Sequence, residues 1–410
     1  MELQELILTT CRSTQQSSAC LWDQTTGNAL HYYKNGGVIA PKTLTLLGND
    51  YIMSADEDKP VTHIWPLNSQ EPEKKMSTVL PDKITTMALC PDSCYLAAGI
   101  GVRLYIWHLP SGKLFSIQKK NFQPISCIKF SSDGSCVIVA GQDGMLIVYK
   151  LVSLVSLHNN LQSQSEGQIE PLYTKHDHTL PITDVHVGSF GHDARFATVS
   201  SDNTCKVYSL KSGTLLLNLV FEEALTAVIF DGPCWNLYVG RNSGKIQQFF
   251  LKAPPRNVDQ HVGDLVFSGH QKRITCLDLG VSNGVLVSGA EDNFVFIWEI
   301  SSRQILKRIE HKGAITNVKC LLKHDNFFTQ NLKHEHVVRN LDRDLIQSEV
   351  FDVGYIQDCD IELSDDECET GQRINDTRFK DLKVENAKLR ATNQQLYETA
   401  LRISQKYTNF

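Results

Sequence analysis

The stretch "FSGHQKRITCLDLGVSNGVLVSGAEDNFVFIWEI", residues 267–300, decides the fold. It places His270, Ser288 and Asp292 within about two dozen residues, a set that hydrolases use for nucleophilic catalysis. The same stretch also has a structural rhythm. "ITCLDL" alternates apolar and polar residues, "VLVSGA" is rich in small and β-branched ones, "EDN" is a tight turn, and "FVFIW" ends on Trp298. Period-2 runs separated by turn residues are antiparallel strands.

The rhythm recurs along the chain. Runs that end on an aromatic are "ACLWD", "VTHIW", "RLYIW", "LIVYK", "CKVYS", "IQQFF" and "FVFIW". Their anchors Trp22, Trp65, Trp107, Tyr149, Tyr208, Phe249 and Trp298 are spaced by 43, 42, 42, 59, 41 and 49 residues. A period of about 40–45 residues is that of WD repeats, each folding as a four-stranded propeller blade. Inner strands such as "ISCIKF" and "ITDVHV", turns such as "QDG" and "SDN", and Gly turns such as "KSGTLLL" complete each unit. The two long steps carry inserts at 153–173 and 252–264, expected as surface loops between blades.

His270, Ser288, Asp292 and Trp298 therefore fall where WD blades hold a hydrogen-bonded tetrad, and His178, Thr198, Asp202 and Tyr208 repeat it. Buried polar groups must be paired, and a connected network fixes how loop, turn and strands dock. Two copies in register read as framework, because neither offers the exposed elbow and oxyanion site that a nucleophile needs.

At the N-terminus "ELILTTC", "ACLWDQ" and "NALHYY" supply three strands without an inner one, while "GAITNVKCLL" at 313–322 supplies an inner strand near the far end. The fold expected is an all-β propeller over 1–343 with seven blades closed three-plus-one. The rival count is eight, with 327–341 as a degenerate last blade.

Beyond the propeller the composition changes. Nine acidic side chains lie between Glu349 and Glu369 with no Lys or Arg among them, so most of the net charge of −6 is local to an acidic linker at 344–372. Ser364, before "DDE", has the context of a phosphorylation site for an acidic-directed kinase. From 373 to 410 a helix is expected. Leu382, Leu389, Leu396 and Ile403 recur every seven residues, with Phe379, Asn386, Asn393 and Ala400 at the other core position. Paired asparagines in such a seam favour a parallel homodimer. The stretch upstream is acidic, which excludes sequence-specific DNA reading by a basic zipper.

No apolar run is long enough to span a membrane and no secretory signal is seen, so the twelve cysteines read as reduced thiols. "GRNSGK" has the wrong spacing for a phosphate loop. "HDH" at 176–178, "HEH" at 334–336 and "CPDSC" at 90–94 lack further ligands at metal spacing. No cofactor or metal is expected.

The runs "HTLPITDVHVGSFGHDARFATVSSDNTCKVYSLKSGTLLLNLVF", "CLWDQTTGNAL" and "FSGHQKRITCL" resemble the WD-repeat-containing protein 18 family, the WD-repeat subunit of the rixosome. That resemblance implies a non-enzymatic scaffold of the nucleus, nucleolus and nucleoplasm, with some cytoplasmic presence. It also implies work on the maturing large ribosomal subunit (pre-60S) and its spacer pre-rRNA. The partners implied are a helical-repeat scaffold protein rich in proline, glutamate and leucine, the other rixosome subunits, and a midasin-type AAA ATPase on the pre-60S particle. The alternative is a WD-repeat adaptor of a ubiquitin ligase or chromatin complex.

Overall fold

Each of the seven aromatic anchors lies on the third strand of a different antiparallel sheet, and the computed structural model holds seven such sheets. The structure describes residues 4–13, 17–156, 169–251, 259–261, 265–329, 332 and 334–343. The expected linker, Ser364 and the heptad residues of 373–410 lie outside these.

The chain enters blade 1 at its second strand. Glu5–Cys11, Ala19–Asp23 and Ala29–Tyr33 form the outer three strands, and Ile315–Leu322 returns as the innermost. Glu5 stands opposite Leu322 and Leu8 opposite Lys319, antiparallel. The propeller is thus seven-bladed and closed three-plus-one, which leaves neither chain end as an open inner edge.

Blades 2 to 7 begin with the inner strands Thr45–Leu47, Ile84–Leu89, Ile125–Phe130, Ile182–Val187, Leu225–Phe230 and Ile274–Leu279. Their second strands are rich in small and β-branched residues because they are buried on both faces between neighbouring blades. The turn to the third strand needs a left-handed residue. Asn203, Asn293, Gly144 and Gly244 supply it, at φ of 67°, 71°, 76° and 85°.

One device joins the blades. In blades 3 to 7 the second residue of the inner strand is Ser or Thr, and it sits at a break in the strand register. The Thr85 hydroxyl donates to Ile125 O at 2.7 Å, Ser126 to Ile182 O at 2.6 Å, and Thr183 to Leu225 O at 2.8 Å. Each of these hydroxyls therefore ties its blade to the next. Lys42, in a left-handed conformation at φ 58°, bridges further: its N–H donates to Asn317 of blade 1, and its ammonium donates to Ser126 O of blade 4 and Thr183 O of blade 5.

The inserts depart from expectation. Both lie within a blade, between its third and outer strands, rather than between blades. The first starts with the short helix Leu151–Val155, which buries Leu151 and Leu154, and ends at the outer strand of blade 4, Tyr173–Lys175. The second contributes Asp259–His261 as a fifth strand, parallel to Leu215–Val220 on blade 5, before the outer strand of blade 6 at Val266–Phe267.

The residues of the rival eighth blade form no strand among those described. Beyond the 3-10 turn Asp325–Phe327, residues 334–343 run as a strap over blades 2 and 3. Asp50 accepts from the N–H groups of Glu335 and His336 at 2.7 and 2.8 Å, and the His334 ring stacks on Tyr51 at 4.6 Å. Trp107 gives its indole N–H to Asp342 O at 2.7 Å, and Arg343 donates to Val79 O at 2.8 Å. Gly112 (φ 75°) permits the approach, since a Cβ there would lie 2.2 Å from Asn340 O. Val338 and Leu341 complete the apolar core shared by blades 2 and 3. Leu341, 5% exposed, thus behaves as a core residue although it lies outside any strand. Leu341→Ala is expected to cost about 2–5 kcal/mol in urea unfolding, as for a buried leucine. Leu306→Ala, on the exposed outer strand of blade 7, should cost under about 0.5 kcal/mol.

Candidate functional site

The crossover into blade 7 carries His270 four residues ahead of Ile274, so its ring lies under the turn of its own blade. Its Nδ1 is 2.9 Å from Asp292 Oδ2, and its Nε2 is 2.8 Å from Ser288 Oγ. Ser288 Oγ also accepts the Trp298 indole N–H at 2.8 Å. The structure therefore brings all four residues into one chain of hydrogen bonds. Gln271 N–H adds a second donor to Asp292 at 3.0 Å, and Phe296 stacks on the imidazole at 4.1 Å.

The electrostatics follow from this geometry. Burial works against the charge of Asp292, but the His270 hydrogen bond and charge, with the N–H groups of Gln271 and Phe294, outweigh it and hold the carboxyl below its ordinary range. Ser288 is wholly buried, and its oxygen is committed to two ring nitrogens. A nucleophile needs space in which a substrate can approach. Two surface clefts among the described residues, about 320 and 240 Å³, are lined by other residues, among them Phe190, Trp235 and Leu251 in one and Leu6, Leu30 and Phe328 in the other.

Blade 5 repeats the arrangement with one change. His178 Nδ1 is 2.9 Å from Asp202 Oδ2, and its Nε2 is 2.7 Å from Thr198 Oγ1. Tyr208, longer than the indole it replaces, donates its hydroxyl to Asp177 Oδ2 at 3.0 Å. Burial again opposes the Asp202 charge, and hydrogen bonds from His178 and Thr204 again hold its carboxyl far below the usual range.

A third network escaped the sequence reading. His311 Nε2 lies 3.2 Å from Thr9 Oγ1, which accepts the Trp22 indole N–H at 2.8 Å. Burial pushes His311 down to about 4, so the ring is neutral. It joins the last crossover to the N-terminal strands within the closing blade. The signal was present: His178, His270 and His311 each stand four residues before the first isoleucine of an inner strand.

The two histidines of "HEH" also serve packing. His334 stacks on Tyr51 and His336 bonds Asp50. Cys90 is buried, its thiol pushed up to about 12. Among the described residues no three His, Cys, Asp or Glu side chains are grouped to hold a metal ion, and no helix is long and apolar enough to cross a membrane.

Two outcomes follow for stability. Ser288→Ala strands the His270 and Trp298 nitrogens in the blade, an expected cost of about 1–3 kcal/mol in denaturant unfolding. The depressed carboxyls of Asp292 and Asp202 contribute stability that is fully present above the unfolded value, about pH 4, and lost as pH falls through their lower folded values. The Asp202→Asn, Asp292→Asn double variant should be less stable at neutral pH and lose less on acidification below pH ~4 than the parent. Urea midpoints across pH check this; parallel pH curves for the two chains would contradict it.

The comparisons with known proteins agree with this architecture. The family described as "WD domain, G-beta repeat" matches residues 113–150, 169–209 and 263–299, which end on the third strands of blades 4, 5 and 7. WD repeat-containing protein 18 of Danio rerio is 33% identical over 330 residues, 79% of this chain and 74% of the relative. The Homo sapiens protein of that name is 31% identical over 78% of this chain and 73% of its own length. Pre-rRNA-processing protein IPI3 of Yarrowia lipolytica is 28% identical over 77% of this chain and 74% of its own. A propeller of this closure, with a third of its residues shared along most of both chains, belongs to the WD repeat-containing protein 18 family.

Proposed function

We propose that this chain is a non-enzymatic scaffold subunit of a nuclear complex that processes spacer pre-rRNA and matures the large ribosomal subunit. The observation that carries the reading is the set of relatives. Two of them, of Caenorhabditis briggsae and Yarrowia lipolytica, are named pre-rRNA-processing proteins and align over 77% of this chain. The burial of Ser288 supports a framework in place of a hydrolase, since its hydroxyl is committed within the blade.

In this reading the ring presents crossover loops to partners, chief among them a helical-repeat scaffold protein, and the assembly meets the pre-60S particle with its midasin-type ATPase. The heptad pattern of residues 379–403 would make the chain a homodimer in that complex. Nuclear and nucleolar placement follows from the substrate.

Depleting the protein in cells should raise the precursor RNA that retains the second internal transcribed spacer, read on a northern blot, and lower mature large subunits against small ones. Unchanged spacer precursors, with ubiquitin-ligase or chromatin subunits co-purifying instead of pre-60S factors, would replace this reading with the adaptor one.

A further inference from the structure

Phe122 is the most exposed large apolar side chain among the described residues, at 83%. It sits in the crossover from blade 3 to blade 4, and that crossover is pinned on both sides. Phe122 N–H donates to Asp143 Oδ2 at 2.9 Å, and Gln142 N–H donates to Pro124 O at 2.9 Å, both from the turn of blade 4. Ile125 N–H donates to Gly101 O, in the turn of blade 3, at 2.9 Å. The ring is thus held out into water by backbone that is already ordered, so its burial by a partner would cost little conformational entropy.

The surroundings are not those of an isolated surface phenylalanine. The next crossover presents Leu180, 48% exposed, and the blade 4 turn lies between them, with Gly144 packed against the carbonyls of His178 and Leu180. On the other side stand three cations. Lys119 and Lys120 precede Phe122 in the same crossover. Arg103 faces that segment across the register that pairs Leu104 with Gln118. Among the described residues neither Arg103 nor Lys120 has an ion-pair partner. Beneath the loop the amide nitrogen of Asn121, a residue 6% exposed, is buried without an acceptor.

We infer that Phe122 is the anchor of a protein-docking surface spanning the crossovers of blades 3 to 5, and that its partner offers an apolar socket rimmed by carboxylates. A rigid aromatic knob beside an apolar neighbour supplies the buried centre of an interface. Arg103 and Lys120 supply a basic rim, which selects an acidic counterpart and speeds its approach. The identity of that partner as the helical-repeat scaffold protein rests on the function proposed above.

The test uses the full-length chain and its purified helical-repeat scaffold protein in titration calorimetry. Phe122→Ala should weaken binding about 10- to 100-fold, the burial of one phenylalanine ring. Arg103→Glu with Lys120→Glu should weaken it at low salt and much less at high salt. Leu306→Ala, on the outer strand of blade 7, should bind as the parent does. Parental affinity in the Phe122 and charge variants overturns the docking surface while leaving the scaffold function intact. No binding by the parent chain removes the scaffold partner, and this assignment of the surface with it. If the variants instead lose affinity for a single-stranded oligouridylate and keep the protein, the surface stacks RNA bases and the inference is wrong.

Discussion

Everything in this ring depends on the antiparallel pairing of Glu5–Cys11 with Ile315–Leu322. A blade is a sheet whose inner strand would otherwise offer unpaired backbone groups to the channel and to other chains. By giving blade 1 three strands from the start of the sequence and one from residue 315 onward, the chain makes closure a long-range event. No blade can be removed without opening the circle. The hydroxyls of Thr85, Ser126 and Thr183 then pass the constraint from blade 3 through blade 6, and Lys42 spans from blade 1 to blades 4 and 5.

Within that circle the histidine networks solve one problem three times. A crossover must turn back over its own blade, and its buried polar groups need partners when it does. His270 and His178 each join a carboxylate in the turn to a hydroxyl on the second strand; His311 reaches the Thr9 hydroxyl from the last crossover. The likeness to a hydrolytic triad arises because both uses need an imidazole oriented between an acid and a hydroxyl. They part on access, since here the hydroxyl is sealed under the turn.

Much of this was legible in the sequence. The aromatic anchors gave blade number and phase because a buried third strand must end on a large side chain in every unit. The inner strand at residue 315 betrayed the closure because an orphan alternating strand has no other use. What stayed hidden depends on contacts between blades. Thr85, Ser126 and Thr183 look like any polar position of an alternating strand until the neighbouring blade's carbonyl is seen. The strap at 334–343 lacks a period because its burial comes from a cleft between blades and not from a sheet. The length of both inserts reads as a link between blades, since length alone does not reveal that an outer strand comes late. His311 was missed because its blade is assembled from both ends of the described chain.

These networks are framework, each tying a crossover histidine to a hydroxyl of its own blade. The most direct measurement is complementation of depleted cells with Ser288→Ala, assayed at a temperature where the variant is folded by circular dichroism. If Ser288 is framework, spacer pre-rRNA processing recovers in proportion to folded protein. Loss of processing by a fully folded Ser288→Ala chain would contradict the account and place chemistry inside blade 7.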